Sequence, residues 1–140
     1  MAQILWNSQK SEIPGQFLHS KSDIPVPNYF SYIWHRTSLG ENADLEIDVE
    51  AAAGQEMWIC ESKWLKKSSK ANVKDVDILL KKEPLLQKRE GNDISIIRLW
   101  FFSHSGFTKE AESYMEEKGV LWSDRDDLNQ ILKHLGLKRL

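Results

Sequence analysis

Across residues 44–50 acidic and apolar side chains alternate without a break, and a period of two is one that only an extended strand turns into two distinct faces. Leu45, Ile47 and Val49 are expected on one face and Asp44, Glu46, Asp48 and Glu50 on the other. After Gly54, residues 57–60 (Met-Trp-Ile-Cys) are too apolar for a surface loop and read as a neighbouring buried strand. Glu61 and Lys63 then share one face at its end. Leaving a buried strand with Glu-Ser-Lys is costly unless the two groups pair, bind a metal or meet solvent at a cleft.

The flanking sequence extends this ribbon into a domain. Residues 29–37, rich in aromatic side chains, read as a strand before the acidic one, with residues 40–42 as the turn, so that the stretch ending with the strand over 56–63 is an antiparallel three-strand meander. Val73, Val76, Leu79 and Leu80 recur at helical spacing until Pro84 and Gly91 end the element, which leaves Lys70 and Lys74 facing out. Residues 94–102 are almost continuously apolar between two helical patterns, as in a central strand covered on both faces. Thr108 suits the N-cap and Gly119 the end of the next helix, with Glu110 and Glu112 early in it and Lys118 late. A short strand over 120–122 follows. Ser123 or Asp124 then caps a last helix that carries Leu128, Ile131, Leu132 and Leu135 and stops at Gly136. Pro14, Gly15, Pro25 and Pro27 make residues 1–28 an irregular N-terminal segment, with a short helix over 2–9, ahead of a domain over 29–140. The fold class is therefore α/β, an α+β mixed sheet: a three-strand meander followed by helix, strand, helix, strand, helix.

Cys60 is the single cysteine, so no disulfide forms within the chain, which suits the cytoplasm, and no stretch approaches a membrane span. The net charge of −2 argues against nucleic-acid binding by overall field. Its distribution does not. Residues 40–62 hold seven acids and no Lys or Arg, whereas residues 63–89 hold nine bases against three acids. An acidic pocket that concentrates divalent cations beside a basic surface that holds phosphates suits a nuclease; a Lys-rich helix that merely solvates its outer face gives the same pattern. His19, His35 and His134 have no partner at ligand spacing, which disfavours zinc.

Asp48, then Glu61-Ser62-Lys63, resembles the PD-(D/E)xK superfamily of restriction-endonuclease-like nucleases, with Ile47 where a proline often precedes the first acid. Residues 101–111 (FFSHSGFTKEA), residues 119–122 and the pattern of Leu128, Ile131 and Leu132 are similar to the C-terminal half of Mrr-type restriction endonuclease domains and of related domains appended to ATPases. The resemblance implies a restriction-endonuclease-like core and Mg²⁺-dependent DNA endonuclease activity, with Mn²⁺ as a substitute. Asp48 and Glu61 would hold the ion with the Cys60 backbone carbonyl, Glu46 is a further candidate ligand, and Lys63 would act on the attacking water or the phosphate. Lys66, Lys67, Lys70 and Lys74 would contact DNA, with Ser105 and Thr108 at a helix N-terminus as further candidates. Trp64 is placed to stack on a base or to be partly buried. Implied partners are DNA, an ATPase subunit or fused domain, and a second copy where both strands are cut. Cores of this kind usually open with a helix bearing a further glutamate; Glu12 is the one candidate here. A catalytically inactive module for DNA or protein interaction is the alternative.

Overall fold

The computed structural model describes residues 1–41, 45–64 and 69–140. Gly54, at φ +59°, takes the left-handed conformation that a two-residue hairpin turn demands, and Ala53 pairs with Glu56 across it. The hairpin joins β4 (Glu46–Ala53) to β5 (Glu56–Lys63), and β3 (Tyr32–Ser38) pairs antiparallel on the far side of β4. The meander expected from the sequence is thus formed, its first strand shifted towards the C-terminus. Helix α2 (Val73–Glu90) then crosses to β6 (Ile96–Ser103), parallel to β5, and α3 (Lys109–Lys118) crosses to β7 (Leu121–Ser123), parallel to β6. A last helix, α4, covers Arg125–His134. The five-stranded sheet has the order β3-β4-β5-β6-β7, a mixed sheet with helices on both faces, the α+β architecture expected from the sequence.

Two parallel crossovers that advance in one direction through a sheet must lie on one face of it if both are right-handed. Accordingly, Val76, Leu79 and Leu86 of α2 and Ala111 and Met115 of α3 share one core cluster with Met57, Ile59, Leu99 and Phe101. The opposite face carries Trp58, Cys60, Trp100 and Phe102, covered by Leu128, Ile131 and Leu132 of α4. This alternation buries β6 on both sides, as its apolar run requires. The N-terminal segment joins that second cluster: α1 (Ala2–Asn7) contributes Ile4 and Leu5, and a small ribbon of β1 (Glu12–Ile13) and β2 (Ile24–Pro25) contributes Ile13 and Ile24.

Local chemistry fixes the helix ends. Asn72 and Asp75 form a reciprocal capping box at α2, Thr108 caps α3, and Asp124 rather than Ser123 forms a second capping box with Asp127 at α4. Pro84 does not end α2. It sits on the exposed side of the helix, where the Leu80 carbonyl that loses its amide partner can be met by water, and the helix continues because Leu86 is buried beyond it. Gly91, at φ +67°, is the actual stop. Among the described residues no helix is long and apolar enough to cross a membrane.

Candidate active site

The expected alternation along β4 breaks at Asp48. Ile47 packs into the α2 cluster, whereas Val49 packs into the opposite one, so two residues expected on a single face lie on different faces. The β3–β4 ladder pairs His35 with Val49 and Thr37 with Ile47 but omits Arg36 and Asp48, and Arg36 carries a φ of +52°. On the other side, β4 pairing with β5 ends at Val49 and Cys60. Beyond that point the Asp48 side chain replaces the backbone: its Oδ2 accepts from Ser62 N–H at 2.8 Å and from Ser62 Oγ at 3.3 Å. A strand end that would otherwise leave a donor unmet instead anchors one carboxylate oxygen.

Glu61 lies beside it. Lys82 of α2 donates from Nζ to Glu61 Oε2 at 2.6 Å and to the Glu46 backbone carbonyl at 2.6 Å. The Lys82 side chain is 2% exposed and that of Glu61 17%. Burial pushes the Glu61 carboxyl up to about 7 against the pull of the Lys82 ammonium, and the neighbouring Asp48 carboxylate adds to the rise through both charge and hydrogen bonding. Asp48 and Glu61 therefore converge. Glu46 enters the cluster through its backbone carbonyl, with its side chain exposed.

Lys63 shares the α2 face with Glu61, but its ammonium is bound by Asp75, whose other oxygen accepts from the Asn72 N–H in the helix cap. A third pair completes a seam down α2. Arg89 grips Glu50 through two bonds, Nη2 to Oε2 at 2.6 Å and Nη1 to Oε1 at 3.2 Å, and Tyr32 donates to Oε2 at 3.1 Å. Glu50 is fully buried; burial alone would raise its carboxyl, yet the hydrogen bonds and charge of Arg89, with help from Thr37 and Tyr32, hold it below the ordinary value. Asp75, Leu79, Lys82, Leu86 and Arg89 recur at steps of four and three, the spacing of one helix face. Lys82 is the residue that reading the sequence missed. The available signal was a lysine in register with Leu79 and Leu86.

The other expected site residues are scattered. Asp44, Lys66 and Lys67 lie outside the described residues, and Lys70 and Lys74 are exposed. The Thr108 hydroxyl accepts from Ala111 N–H at 3.1 Å as the α3 cap, with Ser105 in the loop before it. Trp64 is 62% exposed, stacked on His104 and in T-shaped contact with Phe102. The Cys60 thiol is fully buried, which pushes it up to about 12. Glu12 is exposed on β1, and α1 carries no acid. His19 binds Asp127 at 2.9 Å and stacks on Trp122.

Among the described residues no cluster of three His, Cys, Asp or Glu side chains could hold a metal ion. The Asp48–Glu61 pair still fits a hard cation. Each carboxylate has one oxygen held by the protein, by Ser62 or by Lys82, and the two carboxyl groups are close enough to hydrogen-bond to each other, through a proton that a shared cation would displace. Mg²⁺ is commonly bound by one or two carboxylates together with waters and a substrate phosphate. What departs from a simple metal site is the Lys82 ammonium, a competing cation already on Glu61.

No family model and no curated protein matches the chain. Among solved structures it is similar to the crystal structure of AF1548, a protein of unknown function, with a TM-score of 0.61 and 17% identity over 98% of this chain and 67% of that one. It is also similar to a repair endonuclease from Pyrococcus abyssi, with a TM-score of 0.48 and 17% identity over 68% of this chain and 38% of that one. The AF1548 likeness establishes a shared fold along nearly the whole chain, the N-terminal segment included.

Proposed function

We propose that the chain is a metal-dependent nuclease that hydrolyses DNA phosphodiesters, of the PD-(D/E)xK type and Mrr-like. The observation that supports this most is the convergence of Asp48 and Glu61 at the end of two adjoining strands, each carboxylate anchored through one oxygen. Asp48 and Glu61 would hold Mg²⁺ or Mn²⁺, with the Cys60 carbonyl as the backbone ligand. The ion, when bound, supplies charge neutralisation at the phosphate and a more acidic water. Lys63 reaches the attacking water or the phosphate when it leaves Asp75, and Lys82 holds Glu61 in place. Lys70 and Lys74, both exposed, track the DNA backbone.

The test uses plasmid and branched DNA with Mg²⁺ and with Mn²⁺. Lys63→Ala is expected to remove most cleavage, at least a hundredfold, while leaving DNA binding near the parent value. Asp48→Ala is expected to abolish both cleavage and calorimetrically detected Mn²⁺ binding. Cleavage that survives Lys63→Ala unchanged would refute the assignment of the lysine. The Lys82 ammonium on Glu61 favours a second reading, in which lysine stands where a metal would and the domain is an inactive module for DNA or protein interaction. A folded parent that neither cuts DNA nor binds a divalent ion selects that reading.

A further inference from the structure

On the face of the sheet opposite α2, a cavity of about 440 Å³ opens beside Asp48. Its wall includes Asp48 and Ser62 from the proposed site, His35 and Arg36 from β3, and Trp64 and Phe102. The volume is that of an ordinary small-molecule site. Its wall brings together a permanently cationic residue, an exposed indole and one carboxylate of the proposed metal pair, with Met1 and Leu140 at its rim.

The indole is a fixed shelf. Trp64 stacks on His104 with ring centroids 4.8 Å apart and planes 27° apart, and meets Phe102 in a T-shaped contact at 5.6 Å. Two aromatic neighbours thus hold the ring, yet it is 62% exposed, so much of the indole surface stays accessible to a ligand. The cation is placed by backbone geometry. Arg36 stands at the point where the β3–β4 ladder omits both it and Asp48, and a φ of +52° is one that an arginine rarely adopts. The same irregularity therefore puts Arg36 and Asp48 on the wall of one cavity.

We propose that this cavity is a nucleotide subsite that receives one unpaired base of a nucleic-acid strand, stacked on Trp64, with the adjoining phosphate held by Arg36. An indole face needs a free base face, and in a duplex both faces of each base are covered by neighbours. A guanidinium matches a phosphate through paired N–H donors. The proposal rests on the nuclease reading for the identity of the reacting phosphate, which lies at Asp48; it makes the preferred substrate single-stranded or locally splayed rather than plain duplex.

Binding is measured in chelator, so that cleavage plays no part, by fluorescence anisotropy of labelled oligothymidine, oligouridine and blunt duplex of equal length on the full chain. Oligothymidine is expected to bind at least tenfold more tightly than duplex. Trp64→Ala is expected to weaken that binding about tenfold, Trp64→Phe less than threefold, and Arg36→Ala to weaken it and flatten its salt dependence. Oligouridine bound as tightly as oligothymidine supports a subsite that accepts either sugar; weaker oligouridine binding supports one confined to DNA. Duplex bound as well as single strand, no binding at all, or binding unmoved by Trp64→Ala overturns the proposal. Failure of the nuclease reading looks different: a parent that cuts nothing with Mg²⁺ or Mn²⁺ yet binds single strands through Trp64 keeps the subsite and loses the enzyme.

Discussion

Replacing Lys82 by Met tests the charge logic of the site in isolation from catalysis. The substitution keeps an unbranched side chain of similar length in a position that is 2% exposed, and it removes the donor to Glu61 and to the Glu46 carbonyl. In the parent, Glu61 gives up its proton near pH 7, against an ordinary value of 4.5. Because the folded value is raised, the stability associated with this group is fully present below pH 4.5 and is lost as pH rises to about 7. Above pH 7 the parent's Glu61 is ionised in both states and contributes no further slope. Without Lys82 the folded carboxyl keeps its proton to higher pH while the unfolded chain has lost it. The variant therefore goes on losing about 1.4 kcal/mol per pH unit beyond pH 7. The penalty of Lys82→Met should be constant below neutrality, on the order of 0–3 kcal/mol from lost hydrogen bonds set against relieved desolvation. At pH 8.5 it should be larger by about 2 kcal/mol. Urea unfolding in chelator, followed by the fluorescence of the fully buried Trp58 and Trp100, measures both values. An equal penalty at pH 6 and pH 8.5 would show that Lys82 does not control the ionisation of Glu61.

Two further outcomes follow from the same helix. Arg89→Met strands the fully buried Glu50 carboxylate and should cost about 3–5 kcal/mol at pH 7. Since Arg89 holds the Glu50 carboxyl below its ordinary value, the parent loses this stabilisation as pH falls below about 4.5, and the loss of Arg89 should matter least in acid; a penalty independent of pH between 3 and 7 would contradict the assignment. Pro84→Ala restores an amide donor to an exposed position in α2 and should stabilise the protein by about 1–3 kcal/mol, read as a higher Tm; no gain would mean that the helix has already absorbed the missing bond.

The fold was readable because its signals are local. A glycine between two apolar runs specified the hairpin, Thr108 and Gly119 bounded α3, and an unbroken apolar run marked the doubly covered β6. Pro84 misled as a stop because sequence does not state which side of a helix a residue occupies, and on the solvent side the cost of a missing donor is small enough for the packing of Leu86 to outweigh it. Lys82 was unreadable for a related reason. Lysines usually face water, and Lys82 was counted with the basic stretch although it falls on the same helix face as Leu79 and Leu86.

The break at Asp48 could not be read from period alone, since the alternation there is uninterrupted in sequence. It is decided by competition for one N–H group. A β4 that continued its ladder would satisfy Ser62 with backbone and leave Asp48 on the α2 face, where Glu61 and Glu50 already sit. Releasing the ladder at Asp48 and Arg36 lets the carboxylate take the Ser62 donor itself, so that strand pairing ends and an acidic side chain is anchored in one step. The shift also turns Ile47 into the α2 cluster and leaves Asp48 lining the cavity that holds Trp64 and Arg36. Asp48 is thereby reached from the cavity side of the sheet while Glu61 is held from the α2 side by Lys82, so that the two carboxylates meet at the sheet end between the cavity and the α2 seam that also carries Lys63.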